Sequence, residues 1–185
     1  MPAALAALAL LLPLAGPEGP VDLSVRPGST LAYTLVHKFH EVTGVSKAVE
    51  GKARLLPGGG VQVMVRARVD SFDSGNGNRD AHMLEATEAA RFPFVTLKAV
   101  GALPPPAAYP ATAEVTLQGE LTFHGVTKPV ALPVKVELAA PDRASATGKL
   151  TISLDGYGVE RPSLLFVKVD DALVVTATLS LAAGL

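Results

Sequence analysis

The 185-residue chain has no cysteine and no tryptophan, only three tyrosines and six phenylalanines, and just 18% charged residues. The missing cysteine excludes disulfides, thiolate metal sites, a cysteine nucleophile and a lipid-modified N-terminal cysteine. With 16 basic and 17 acidic residues the net charge is −1, so no basic field exists to gather nucleic acid or an anionic membrane, and nucleic acid is not an expected partner. A membrane-spanning run is also lacking. The apolar start, Ala3 to Ala15 within "MPAALAALALLLPLAGPEGP", covers about 13 residues, short of the ~18–20 that cross a bilayer. It resembles the hydrophobic region of a signal peptide, although no Lys or Arg precedes it and Pro13 stands at the −3 position of a cleavage after Ala15. The expectation is a signal peptide or disordered N-terminus over residues 1–20, a single domain over 21–185, and a periplasmic or secreted location.

Hydrophobic residues nevertheless make up 49% of the chain, so the apolar mass is mostly Ala, Val and Leu. After Pro20 these residues alternate with polar ones at period two, the mark of strands with one buried face. Val61, Val63, Val65, Ala67 and Val69 oppose Gln62, Arg66, Arg68 and Asp70. The same alternation runs through 111–124, 130–138, 144–155 and 173–181, and less regularly through 30–36, 44–56 and 94–101. Turn chemistry separates these runs at "LPGGG" (56–60), "HGVTKP" (124–129), "APDR" (140–143) and "KVDD" (168–171). One helical pattern interrupts them, capped by Asn78 or Asp80, with Met83, Leu84 and Ala90 as its apolar face and Pro93 as its stop.

About eight strands in meander order, without a βαβ rhythm, fit a closed antiparallel barrel or a two-sheet sandwich. The inward positions include Ala111, Ala113, Gly119, Ala144, Ala146, Gly148 and Ala177. An eight-stranded barrel is just wide enough for side chains to fill. Small inward residues and few aromatics leave it underfilled, and the expected result is an aliphatic cavity suited to a long, flexible apolar molecule. In the sandwich alternative, large residues from other strands fill that space.

The polar residues offer little chemistry. His37 and His40, three apart on a strand, face opposite sides. His124 sits exposed at a hairpin end, and no histidine pair has a metal spacing. Ser71, Asp73, Asp80 and His82 have the residue types of a catalytic group but no nucleophile elbow. "SGNGN" lacks the Lys-Ser/Thr of a phosphate loop. No catalytic residue, metal site or cofactor is expected, and the chain is read as a non-enzyme.

Four segments, "YTLVHKFHEVTGVSKAVEGKARL" (33–55), "SFDSGNGNRDAHMLEATEAARFPFVTLK" (71–98), "GELTFHGVTKPVALPV" (119–134) and "LDGYGVERPSLL" (154–165), resemble the YceI-like family. The shared motif positions are His37, Gly44, Asn76, Arg79, Asp80, His82, Pro93, Gly119, Leu121, Gly125, Lys128 and Pro129. The resemblance implies an all-β, extended lipocalin-like barrel of eight antiparallel strands with a short helical insertion. It also implies a polyisoprenoid ligand, such as an isoprenoid quinone or a polyprenyl phosphate. With the inward pattern, this gives a tunnel lined by Tyr33, Leu35, Val115, Leu117, Leu121, Phe123, Val134, Val136, Ile152, Leu154, Leu173, Val175 and Leu179. His37, Arg79 and His82 are candidate headgroup contacts, and Met83, Phe92, Phe94 and Phe166 are candidates to close the mouth. The alternatives are a filled barrel acting as a stress-response or protein-interaction module, and a haem- or metal-binding lipocalin using His37 or His82. Two barrels could pair as a homodimer through strand edges or loops, without an interface signal in the sequence.

Overall fold

The structure, a computed structural model, describes residues 19–37, 40–161, 163–164 and 167–184. Phe166 and nearly all of the expected signal segment lie outside the described residues. Twelve strands are present among these residues: β1 (Val21–Val25), β2 (Thr30–His37), β3 (His40–Ser46), β4 (Val49–Leu55), β5 (Gly60–Arg68), β6 (Phe94–Ala102), β7 (Ala111–Phe123), β8 (Val126–Ala140), β9 (Arg143–Ser153), β10 (Ser163–Leu164), β11 (Val167–Lys168) and β12 (Ala172–Ala183). Among the described residues one helix, α1 (Gly77–Ala86), lies between β5 and β6. Single 3-10 turns occur at Val69–Ser71 and Asp155–Tyr157.

Ten of the strands form one antiparallel sheet in the order β1-β4-β5-β6-β7-β8-β9-β12-β2-β3, and β1 also pairs with β12. That last pairing closes the sheet into an eight-stranded barrel and excludes the sandwich. β1 and β2 lie end to end along one edge of β12. Leu23 to Val25 pair with Ala183 to Leu181, and Thr30 to Thr34 pair with Thr178 to Val174. β3 and β4 are likewise end to end against β2 and β1. The expected strand over 44–56 is therefore two strands, broken at Lys47 and Ala48. There the fully buried Ser46 hydroxyl accepts from the Ala48 amide at 3.1 Å and bonds the Ser71 hydroxyl at 2.7 Å. β1 had no counterpart in the sequence pattern, because five residues are too short to show alternation. β10 and β11 form a separate small hairpin.

The other departures have local causes. Of the turn expected over 124–129, only His124 and Gly125 turn the chain, with φ of 50° and 72°, as a two-residue hairpin loop with both φ positive requires. Val126 to Pro129 already pair with β7. Pro129 and Pro133 are tolerated in β8 because its pairing with β9 begins only at Val134. Up to that point β8 has one neighbour and behaves as an edge, where a missing N–H costs least.

Two clusters of buried side chains occupy the interior. One contains Leu23, Val61, Leu103, Leu138 and Leu181 at the end of the β4–β5 and β8–β9 turns. The other contains Tyr33, Val69, Phe123, Tyr157 and Leu173 at the end that carries α1. Outside, Asp22 and Glu50 pair with Arg54 and Arg66, their direct cross-strand partners, which reinforces the register.

Gly119 shows how tightly β6 and β7 approach. A Cβ at this position would overlap the Lys98 carbonyl oxygen and the Ala99 Cα. Gly119→Val is expected to part the two strands and lower stability by about 1–3 kcal/mol, read as a fall in the urea midpoint at unchanged m-value.

Candidate functional site

The inward faces of the strands do not meet. Between them lies a cavity of ≈ 620 Å³ whose wall draws on both buried clusters. All thirteen residues expected in the tunnel, from Tyr33 and Leu35 on β2 to Leu173, Val175 and Leu179 on β12, are on this wall. The volume falls within the range of about 300–1,000 Å³ typical of small-molecule sites. Leu173 and Leu181, both on the wall, are separated by about 26 Å of strand at ~3.3 Å per residue. With a strand tilt of ~40°, that is roughly 20 Å along the axis. The cavity is thus long, narrow and aliphatic.

The small residues divide into two groups. Ala144, Ala146 and Gly148 on β9 and Ala177 on β12 line the cavity and widen it. Their register partners on β8, Leu138, Val136 and Val134, are branched and also on the wall. Ala111 and Ala113 instead pack against the buried cluster, and Gly119 is covered by the β6 backbone.

One end of the tunnel is crossed by the helical insertion. β5 stops at Arg68 while β3 continues to His40, so β3 loses its neighbour and the chain from Val69 to Ala86 takes that place. A single bridge, Val45 to Asp73, joins the two: the Val45 amide donates to the Asp73 carbonyl at 2.9 Å and the Asp73 amide to the Val45 carbonyl at 3.1 Å. Asn76, rather than Asn78 or Asp80, is the N-cap, its side chain accepting from the Arg79 amide at 3.1 Å. Arg79 donates from Nε to the Ser74 hydroxyl at 2.8 Å and from Nη2 to the Ser74 carbonyl at 2.6 Å. Asp80 accepts from the Ser74 hydroxyl and, at 3.2 Å, from the Ser74 amide. The helix ends at Thr87, whose amide and hydroxyl both donate to the Met83 carbonyl. Glu88, with φ of 44°, then turns the chain away. The stop comes well before Pro93, whose carbonyl instead accepts from the Val69 amide at 2.9 Å. Ala89, not Ala90, is the buried alanine after the helix.

Of the expected mouth residues, Arg79, His82 and Met83 border the cavity. Phe92 and Phe94 do not. Phe92 packs edge-on against the His124 ring, centroids 4.9 Å apart, and Phe94 lies beneath the guanidinium groups of Arg66 and Arg68 on the outer face. Helix periodicity alone could not reveal this, because the chain reverses at Glu88 before it reaches them. His37 ends β2 as the register partner of His40 across a hairpin, so the two are not on one strand; the His37 side chain lies outside the described residues. His124, expected to be exposed, is 9% exposed. Its Nδ1 is 3.0 Å from the Tyr157 carbonyl and its Nε2 is 3.2 Å from Glu88 Oε1. It ties the β7–β8 turn to the insertion and to the turn that precedes β10. Among the described residues, no group of three or more His, Asp or Glu is placed to hold a metal.

Tyr33 is the one polar side chain among the thirteen residues expected in the tunnel. It is 7% exposed, and its ring lies across Gly44, its cross-strand partner, and 5.6 Å from Phe72. A Cβ on residue 44 would collide with that ring. Burial, and secondarily the Asp80 carboxylate, push the Tyr33 phenol above its ordinary value against a smaller opposing effect of Arg79. Burial alone does the same at Tyr157.

A closed antiparallel barrel with one helical insertion and an aliphatic tunnel is lipocalin-like in architecture. A family model described as the YceI-like domain matches residues 25–181, and the chain belongs to that family. A UPF0312 protein of Pseudomonas fluorescens (strain SBW25) is 31% identical over 113 residues; the match covers 55% of this chain and 54% of that relative, so the chain spans about half its length. Three solved structures share the fold. A polyisoprenoid-binding domain from Saccharophagus degradans, implicated in plant cell wall breakdown, is 17% identical with a TM-score of 0.71, covering 89% of this chain and 99% of that one. BcnA of Burkholderia cenocepacia is 20% identical with a TM-score of 0.66, covering 84% and 98%. The YceI protein of Campylobacter jejuni is 14% identical with a TM-score of 0.61, covering 81% and 90%.

The residues that carry the resemblance mostly build the fold: Asn76 caps α1, Arg79 and Asp80 hold Ser74, and Lys128 lies 5.5 Å over the Tyr157 ring. Ser74→Ala is therefore expected to remove the hydroxyl bonds to Arg79 Nε and to Asp80 together, while the bonds made by the Ser74 carbonyl and amide remain. The expected loss is about 1–3 kcal/mol, with faster amide exchange across Gly77–Ala86 than across β7 or β12.

Proposed function

We propose that this protein binds and carries a long-chain apolar lipid of the polyisoprenoid type in the barrel tunnel, without catalysing a reaction on it. The observation that carries the reading is the aliphatic cavity of ≈ 620 Å³ running through both buried clusters. Burying one five-carbon unit contributes about 4 kcal/mol at ~0.8 kcal/mol per CH₂. Association costs some 4–15 kcal/mol, so roughly three or more units must enter before binding becomes tight. A long narrow tunnel therefore favours a long chain over a short apolar molecule. Methyl branches need width at intervals, which Ala146, Gly148 and Ala177 supply. The family membership and the polyisoprenoid-binding relative support the same ligand class.

The polar side chains of the insertion bond one another, which suits a wall rather than a reactive centre. Among the described residues no helix is long and apolar enough to cross a membrane. A periplasmic or secreted site of action, where a shielded carrier would move lipid through water, fits the apolar run at residues 3–15, and we include it in the proposal.

Organic extraction of the purified protein followed by mass spectrometry is expected to recover a prenyl lipid at near-stoichiometric yield, and delipidated protein is expected to take up added long-chain quinone or polyprenyl phosphate. Ala146→Phe, which fills the widened section, is expected to weaken uptake about tenfold or more while leaving the strand-rich circular dichroism spectrum unchanged. Recovery of no lipid, together with no uptake, would overturn the carrier reading and favour a barrel that acts through its outer surface.

A further inference from the structure

β8 and β9 both continue as strands beyond the point where they stop pairing with each other. β8 stays paired with β7 as far as Val126, and β9 stays paired with β12 as far as Ser153. Between the two, the ladder ends at Val134 and Gly148. Continued register would set residues 129–133 against 153–149, a stretch of about 13 Å at ~3.3 Å per residue, yet among the described residues no pairing forms there. β6 and β7 also part, at Val100 and Gln118, but β6 ends two residues later at Ala102, so no facing pair of edges of that length results.

The sequence accounts for the break. Phe123 and Val126 flank a two-residue loop and so form a hydrogen-bonded pair. Counted from that pair, the even-numbered residues of β8 aim their backbone groups at β7 and the odd-numbered ones at β9. Pro129 and Pro133 are both odd, so both missing donors fall on the β9 side.

Side chains, not backbone bonds, close this seam. Leu132, Leu150 and Ile152 on its two sides are on the cavity wall, so the seam leads directly into the tunnel. Beyond Ser153 the Asp155–Tyr157 turn fills the space beside β8. Tyr157 is 3% exposed, its ring 5.9 Å from that of Phe123 and 5.5 Å below the Lys128 amino group. The turn is tied back through the Tyr157 carbonyl, 3.0 Å from His124 Nδ1, and through the Asp155 amide, which donates to Asp171 at 2.8 Å. The barrel ends, by contrast, are packed and bonded. Leu23, Leu103, Leu138 and Leu181 are buried at one, and the insertion crosses the other, held through Ser74 and the Val45–Asp73 bridge.

We propose that the seam between β8 and β9 is a lateral portal, through which an apolar chain enters and leaves the tunnel when the Asp155–Tyr157 turn swings aside. This inference rests on the carrier reading above. A stretch of wall without ladder bonds opens at lower cost than one that must break them. A lateral slot also admits a long flexible chain segment by segment, whereas entry at an end would thread it past packed side chains.

The chain has no cysteine, so a paired substitution supplies its only thiols. Ala131→Cys with Thr151→Cys places them on the exposed outer face on either side of the seam, to be joined by a disulfide or, where the thiols stand farther apart, by a short bis-maleimide. Glu114→Cys with Lys135→Cys, register partners across the intact β7–β8 ladder, is the control. Uptake and release of a long-chain polyprenyl quinone by delipidated protein are timed by rapid gel filtration and quinone absorbance. The seam bridge is expected to slow both rates about tenfold or more while shifting Kd less than about twofold, and the control bridge to change neither rate. Equal rates with and without the seam bridge, or equal slowing by the control bridge, would overturn the portal. No uptake by the unbridged protein would instead remove the carrier reading itself.

Discussion

Closure of the sheet is the constraint on which the rest of this structure depends. β12 is paired along its whole length, with β9 on one edge and with β1 and β2 in succession on the other. A ring of eight strands fixes the interior width, because strand spacing and tilt leave little freedom once the ends have joined. What remains variable is how far the side chains reach inward. Here Ala144, Ala146, Gly148 and Ala177 fall short of the centre, so the interior stays hollow. An open sheet with the same residues would collapse onto itself, as dense packing of protein interiors demands.

Closure also explains the insertion. The strands are unequal in length, and where β5 ends the barrel would present the unpaired edge of β3 and an open apolar interior to water. The segment from Val69 to Ala86 answers both needs, bridging Val45 through Asp73 and laying Met83 and Ala86 over the cavity. Its polar residues resemble a reactive cluster in the linear sequence. In the folded chain Asn76, Arg79 and Asp80 satisfy the loop and the helix terminus. Charged side chains beside an apolar tunnel are tolerable because Arg79 and Asp80 are both hydrogen-bonded to Ser74.

The inward faces were legible in the sequence because side-chain direction in a strand has a period of two, and a barrel buries one face throughout. Twelve of the thirteen tunnel residues lie on strands and follow from that rule; Leu154 lies just beyond β9. Three kinds of feature were not legible. Breaks such as Lys47 and Ala48 depend on which partner strand lies alongside, and β1 is too short to carry a pattern. The positions of Phe92, Phe94 and His124 depend on the reversal at Glu88 and on contacts far apart in sequence. Tyr33 was visible as an inward residue, but the close fit of its ring became apparent only with Phe72 and Gly44 around it. Family resemblance identified the barrel because its motif residues are the ones that shape it. For the same reason the motif says less about the cargo than the wall does.

The account turns on one physical claim, that an apolar chain lies inside the barrel along its axis. A crystal structure of the delipidated protein soaked with a terminally brominated long-chain prenyl lipid, with the bromine located by anomalous scattering, tests it most directly. The account predicts continuous ligand density from Phe72 and Met83 beneath α1 toward Leu138 and Leu181, with the bromine in the tunnel. Bromine on the outer surface, or a barrel whose side chains have closed the space between the two buried clusters, would contradict it.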